Sequence, residues 1–438
     1  MNTIIKKIAP FAMPKIQRFI NKFKGVFHSN ATLHTAERYF TGLVSEIPYK
    51  NCGMMAEYME GTSEQALQQF ISSASPWDYE QLNSQRVEYM LEQAVSDDGM
   101  LIYDDTGDEK KGKCSVGVAR QYSGTLGKIG NCQVIVSCQY TDNRYTWPVN
   151  SRLYLPEKWT NDPERLKKAK VPEDIGFKTK IQIALDLLDQ ANELGVKHSV
   201  IGGDSFYGGN PVFLEGLEER GENYAVSVPS DFTVRFTQDI NTFVPPEKPE
   251  GKRCGRPRTK PEKTPLPPQH KVSSLINKLP QDYWKVICWR DGTKGELKKQ
   301  FAFLRVHWST SEKMGKEGWL IFERPVQGED GDTKYYFSDL SLQTPEVKLV
   351  EYVHRRHTIE RFYQDAKDEL GLDQYEGRSW NGLHKHWAMV MLAYSWLTLQ
   401  RGCQDVISRQ YEVVIDKPVI EASAFNNREI FSPNALHR

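Results

Sequence analysis

The chain has 438 residues, with 57 Lys and Arg balanced by 57 Asp and Glu, and 39% of it is apolar. That length suits two or three domains of roughly 100–200 residues each, and no run approaches the roughly 18 apolar residues of a membrane span. Seven scattered cysteines without a CxxC pair argue against a zinc ribbon or a disulfide framework and fit a reducing cytoplasm.

Residues 1–96 read as helical. Ile16, Ile20, Phe23 and Phe27 recur at helical spacing, and Ser63–Ser72 lacks Gly and Pro. Lys6, Lys7, Pro10, Pro14, Lys15 and Arg18 break up the start, so it is not read as a secretory leader. Six Lys or Arg and no acid precede Glu37, a local basic segment that can serve DNA phosphates or simply be solvated.

The character changes at Gly99. Met100–Tyr103, Cys114–Arg120 and Asn131–Tyr140 read as three strands separated by glycine turns. Cys132 and Cys138 in the last of these are read as buried small hydrophobes. A helix follows over Lys178–Leu194, with Ile181, Ala184, Leu187, Leu188 and Ala191 on one face. A short apolar run, His198–Gly203, leads to Asp204; a helix is expected over Pro211–Glu219 and a strand over Asn223–Val228. Three strands, then helix, strand, helix and strand, is the order of an α/β, RNase H-like mixed sheet flanked by helices.

Phe243–Ser273 is Pro-rich and basic and reads as a linker. Inside it, Arg256 and Arg258 of Gly-Arg-Pro-Arg look like a minor-groove hook, but four residues are better explained by an ordinary mobile basic loop. Short β-like runs return at Trp284–Trp289, Gln300–Val306, Trp319–Phe322 and Tyr335–Phe337, which suggests a β-rich insertion. Its tryptophans are expected to be core more often than DNA-stacking groups. Leu349–Leu370 and Leu383–Gln400 read as helices. His384 and His386, two apart on the second, point apart and are expected at the surface or on phosphate.

Asp104 and Asp204 each follow a short apolar run, so each is expected at the end of a strand, where open α/β sheets bind ligands. Two ionised carboxylates held together need a cation, and hard oxygens suit Mg²⁺ or Mn²⁺. Taken alone, a strand-end Asp is more often a turn or helix-cap residue. Asp105 is expected on the opposite face of its strand. Around Glu360, the residues Ile359, Phe362, Tyr363, Ala366 and Leu370 form an apolar stripe, with Arg356, Glu360 and Lys367 along one edge. That edge is either functional or a set of exposed ion pairs.

Several longer motifs resemble bacterial insertion-sequence transposases of the DDE superfamily. They are Asp104-Asp-Thr-Gly107, Lys111 through Gly124, Asn131-Cys-Gln133, Arg152-Leu-Tyr-Leu-Pro156, Asp204-Ser-Phe-Tyr-Gly208, and Ile359-Glu360 through Lys367 to Trp380. The resemblance runs from about Arg38 to Leu399. It implies an RNase H-like core with a β insertion before the catalytic Glu. It implies Asp104, Asp204 and Glu360 as catalytic and metal-holding residues, with two Mg²⁺ ions (Mn²⁺ as substitute). Arg356 and Lys367 would grip phosphates, with Lys111, Arg378, Arg256 and Arg258 as further DNA contacts.

The expected organisation is a helical DNA-binding region (1–96), a first core segment (97–235), a basic loop plus β insertion (236–344), a second core segment carrying Glu360 (345–402) and a tail (403–438). The expected activity is cutting element ends in double-stranded DNA and joining the freed 3′-hydroxyl to target DNA. It would be carried out in the cytoplasm by a homodimer or higher oligomer, with no membrane partner. The alternatives are a catalytically silent DNA-binding descendant and a metal-dependent nuclease that never joins strands.

Overall fold

A computed structural model describes residues 12–124, 127–244, 265–292 and 295–412. The described residues begin with helices α1 (Ala12–Ile20), α2 (Asn30–Val44), α3 (Cys52–Tyr58), α4 (Glu64–Ile71) and α5 (Tyr79–Gln93). Strands β1 (Met100–Glu109), β2 (Ala119–Ser123), β3 (Lys128–Thr141) and β4 (Thr146–Tyr154) follow. Next come α6 (Glu157–Thr160), α7 (Pro163–Ala169), α8 (Lys180–Glu193), β5 (Val200–Gly203), α9 (Ser205–Gly208), α10 (Pro211–Glu219), β6 (Tyr224–Val228), β7 (Thr233–Arg235), α11 (Thr237–Thr242), β8 (His270–Lys271) and α12 (Val272–Leu275). The chain continues through β9 (Lys285–Gly292), β10 (Gly295–Ser309), β11 (Met314–Arg324) and β12 (Lys334–Ser338). It reaches α13 (Glu346–Arg355), α14 (Thr358–Asp368) and α15 (Trp380–Glu412).

Two compact units share β1. The first holds the described parts of Met1–Gly99, Asp104–His198 and His357–Arg438; the second holds Met100–Tyr103 and Ser199–Arg356. The sheet order is β2-β3-β1-β5-β6-β12-β11-β10-β7-β8, with β4 on β3 and β9 on β10. Within it, β4-β3-β1-β5-β6 is the order of an RNase H-like core, with β5 parallel to both β1 and β6 and β3 antiparallel to β4. The mixed α/β architecture and the helical N-terminal segment are as expected.

In the first unit the early helices begin where side-chain oxygens satisfy otherwise unpaired backbone amides. Ser29 accepts from the amide of Thr32 at 3.1 Å, Asn51 from that of Met54 at 2.8 Å, Ser63 from that of Ala66 at 3.2 Å and Asp78 from that of Glu80 at 2.7 Å. Ile16, Ile20, Phe23 and Phe27 are buried as their spacing implied, while Lys15, Arg18, Lys22 and Lys24 stay exposed. α15 is buried around nearly its whole circumference from Leu383 to Leu397, so it is a central helix. That corrects the expectation for its histidines: His384 and His386 are core residues, 4% and 0% exposed.

The early strands also differ from expectation. Cys114–Val118 is turn, and the strand there starts only at Ala119. The third strand of the core is instead β4, which the sequence reading missed. Cys132 and Cys138 are buried free thiols, as expected.

In the second unit the β insertion extends the core sheet, because β12 pairs antiparallel with β6 through Phe337↔Val226 and its neighbours. Trp284 and Trp308 are core residues, and the Trp308 indole donates to Glu218 at 2.7 Å. Gly255-Arg-Pro-Arg258 lies outside the described residues.

Candidate functional site

Asp104 lies inside β1, which continues to Glu109, so it does not close the strand as expected. It is half-buried, and its Oδ1 accepts the backbone N–H of Asp105 at 2.7 Å. The Asp105 carboxylate meets the Lys180 ammonium of α8 at 2.8 Å, both groups largely shielded from water. An ion pair thus engages Asp105, the neighbouring acid.

Asp204 follows β5 directly. The parallel register pairs Met100 with Val200 and runs to Tyr103 with Gly203. The residues that follow this last pair are Asp104 and Asp204. The Asp204 carboxylate caps the short helix α9, accepting from Phe206 N at 2.9 Å and Tyr207 N at 3.3 Å. Glycines make this turn possible. A Cβ on Gly208 would stand 2.1 Å from the Ser227 carbonyl oxygen, and one on Gly202 would stand 2.3 Å from Met100 Cε. Because the obstacle at Gly208 is backbone, Gly208→Ala is expected to cost about 1–3 kcal/mol by overpacking. Chemical denaturation checks this; an unchanged midpoint would refute the close approach of α9 to β6.

Glu360 sits in the exposed first turn of α14. The stripe predicted for this helix is buried, from Ile359 through Leu370. Two contacts fasten α14 along β1. The Tyr363 hydroxyl donates to the Asp104 carbonyl at 3.1 Å, and the Lys367 ammonium donates to Thr106 Oγ1 at 2.8 Å and the Gly107 carbonyl at 2.9 Å. Burial lowers the Lys367 pKa below the usual lysine value, opposed by the charges of Asp373, Asp108 and Asp368. The sequence reading had Tyr363 only as core and Lys367 only as a phosphate contact; nothing in their spacing signalled the bonds to β1.

Arg356 is not on the same helix as Glu360 and Lys367. Arg356 caps the C-terminus of α13, and α14 starts anew at Thr358. Lys111 and Arg378 are exposed. Lys110 is drawn to Asp108 at 2.6 Å, and burial raises the Asp108 pKa to about 6 despite that partner. Arg256 and Arg258 lie outside the described residues. Among the described residues, no group of three or more His, Cys, Asp or Glu side chains is gathered to hold a metal ion, and no helix is long and apolar enough to cross a membrane.

A family model described as DDE superfamily endonuclease matches residues 22–296, more than half of the chain, and the chain belongs to that family. It also resembles the "Probable transposase for insertion sequence element IS701" of Microchaete diplosiphon, at 29% identity over 222 residues. That match covers 50% of this chain and 55% of the relative, so the chain spans about half the length of the curated relative it matches. The resemblance seen in the motifs is thereby borne out. Asp104 and Asp204 fall inside the family-matched segment, and Glu360 falls beyond its end.

Proposed function

We propose that this chain is a DNA transposase that cuts the ends of an insertion sequence and joins the freed 3′-hydroxyls to target DNA. Asp104, Asp204 and Glu360 are its catalytic and metal-holding residues. The observation that carries this reading is the parallel β1–β5 register, with an Asp next after each member of the pair Tyr103↔Gly203. The fastening of α14 to the Asp104 carbonyl through Tyr363, three residues beyond Glu360, supports the third acid.

An all-carboxylate donor set fits hard divalent ions, Mg²⁺ with Mn²⁺ as a substitute, and two of them in this family's manner. When bound, such ions activate a water or 3′-hydroxyl and neutralise charge on the leaving oxygen. The chain's own share is positioning. Asp105 N–H orients one oxygen of Asp104, Phe206 and Tyr207 N–H orient one oxygen of Asp204, and Tyr363 and Lys367 hold the Glu360 helix on β1. Lys111 and Arg378 are exposed and suited to phosphate contact, whereas Lys367 acts from within the fold. Work on two element ends implies a homodimer or larger assembly acting on double-stranded DNA inside the bacterial cell.

The test is incubation of the full chain with end-containing duplexes and Mg²⁺, beside EDTA controls and pre-cut ends offered with target DNA. Mg²⁺-dependent cleavage with joined products is expected. Cleavage without joining would leave a nuclease, and binding without cleavage would leave a silent descendant.

A further inference from the structure

The first unit contains a cavity of about 570 Å³ between α3, α4, the end of α7 and the loop leading into α15. Lys168, Lys170 and Arg378 line it, with Tyr375 in its wall. No ion pair of Lys168 or Arg378 is formed among the described residues. Two acids share the lining and keep their charge while accepting amide hydrogen bonds, Glu64 from Gln68 at 2.8 Å and Glu376 from Asn51 at 3.0 Å, and the cations Lys50, Lys168, Lys170 and Arg378 outnumber them. Lys170 ends α7 in the left-handed conformation, at φ 53° and ψ 44°. Glycine takes that position at no steric cost, and other residues pay for it. A strained lysine there presents an ammonium that glycine would not, and its bond in the fold is one exposed contact to Ser73 Oγ at 2.9 Å.

We infer that this cavity receives one unpaired nucleotide of a DNA strand, its phosphate met by Lys168, Lys170 and Arg378 and its base laid toward Tyr375. The volume suits a single nucleotide and excludes a duplex. Cations on the rim and an aromatic wall are the pairing that single strands exploit. The inference rests on the DNA-processing reading but not on the three acids.

The test measures binding by the full chain in EDTA, where no cleavage occurs, to a short 5′-phosphorylated oligothymidine and to a blunt duplex. Lys170→Gly and Lys168→Ala are each expected to weaken single-strand binding about tenfold. The salt slope should become shallower by at most about 0.7, the share of one phosphate on a single strand. Duplex binding should change less than about twofold. Lys170→Gly should melt no lower than the parent, since it relieves backbone strain. Thymidine monophosphate should compete better than inorganic phosphate. Equal losses on single strand and duplex, or no loss, would overturn the inference. So would a lowered melting temperature for Lys170→Gly, or phosphate competing as well as the nucleotide. Failure of Mg²⁺-dependent cleavage would strike the transposase reading alone and leave this result standing.

Discussion

Asp104→Asn and Glu360→Gln are each expected to lower the rate of DNA strand cleavage at least about a thousandfold, near 4 kcal/mol of barrier at 1.36 kcal/mol per tenfold. Both substitutions keep shape and remove charge. The amide oxygen introduced by Asp104→Asn would still accept the Asp105 N–H that now meets the Asp104 carboxylate at 2.7 Å, so the local backbone has no reason to change. Glu360 is exposed in the first turn of α14, and neutralising it forfeits about 0.3–1 kcal/mol of favourable helix-end charge. Activity and stability should therefore separate: cleavage collapses while the melting temperature moves little. Asp204→Asn belongs to the same series, because its oxygen would still cap α9. Cleavage that survives any one of these changes at more than a tenth of the parent rate would remove that acid from the proposed site. If all three variants lose duplex binding as well, the acids are structural and the chemical assignment fails.

Much of the core was legible because local chemistry and global fold agree there. Pro211–Glu219 is helical over its expected bounds, since Asn210 caps it at Val212 N and Pro211 occupies the first turn. The stripe on α8 is buried residue for residue, and Thr179 and Gln182 close a capping box at its start. Strand β4 was illegible because Pro148 sits inside it, and proline within a run counts against a strand. The structure accommodates that proline at an irregularity in the β3–β4 pairing, between Cys138 and Gln139. Cys114–Val118 failed in the opposite way. Its alternating valines suggest a strand, yet Gly117 takes a φ of +74° and its neighbours turn back against the core.

The acids of the candidate site were legible because each follows an apolar run or stands beside an apolar stripe. Their surroundings were not. A wheel drawn at 100° per residue assumes one helix through Arg356 and Glu360, whereas α13 ends at Arg355 and α14 starts at Thr358. The histidines of α15 went astray for a related reason. A helix buried on all sides has no polar face, so periodicity assigns its histidines no interior position.

Those two histidines should make the fold sensitive to acid. His384 Nδ1 donates to the Trp380 carbonyl at 2.9 Å while its Nε2 accepts from Leu153 N–H at 3.4 Å. His386 Nε2 donates to the Gly371 carbonyl at 2.8 Å while its Nδ1 accepts from the Tyr39 hydroxyl at 2.7 Å. Each neutral ring already uses both nitrogens, so an added proton has no acceptor. Burial holds both pKa values down to about 4. The unfolded chain takes up these protons below about pH 6.5 and the folded chain only near pH 4, so stability falls with pH across that window. At pH 5 the loss is about 2 kcal/mol per histidine, by 1.36 kcal/mol per pKa unit. Asp108 and Asp339 act in the opposite sense, because burial raises both to about 6 and acid relieves their charge. The parent's pH profile therefore mixes both effects, and the informative quantity is a difference. Between pH 7 and pH 5, His386→Gln should lose about 2 kcal/mol less stability than the parent in urea titrations, although it starts lower at pH 7. Parallel profiles would mean that His386 takes its proton in the folded state, and the buried neutral pair would have to be abandoned.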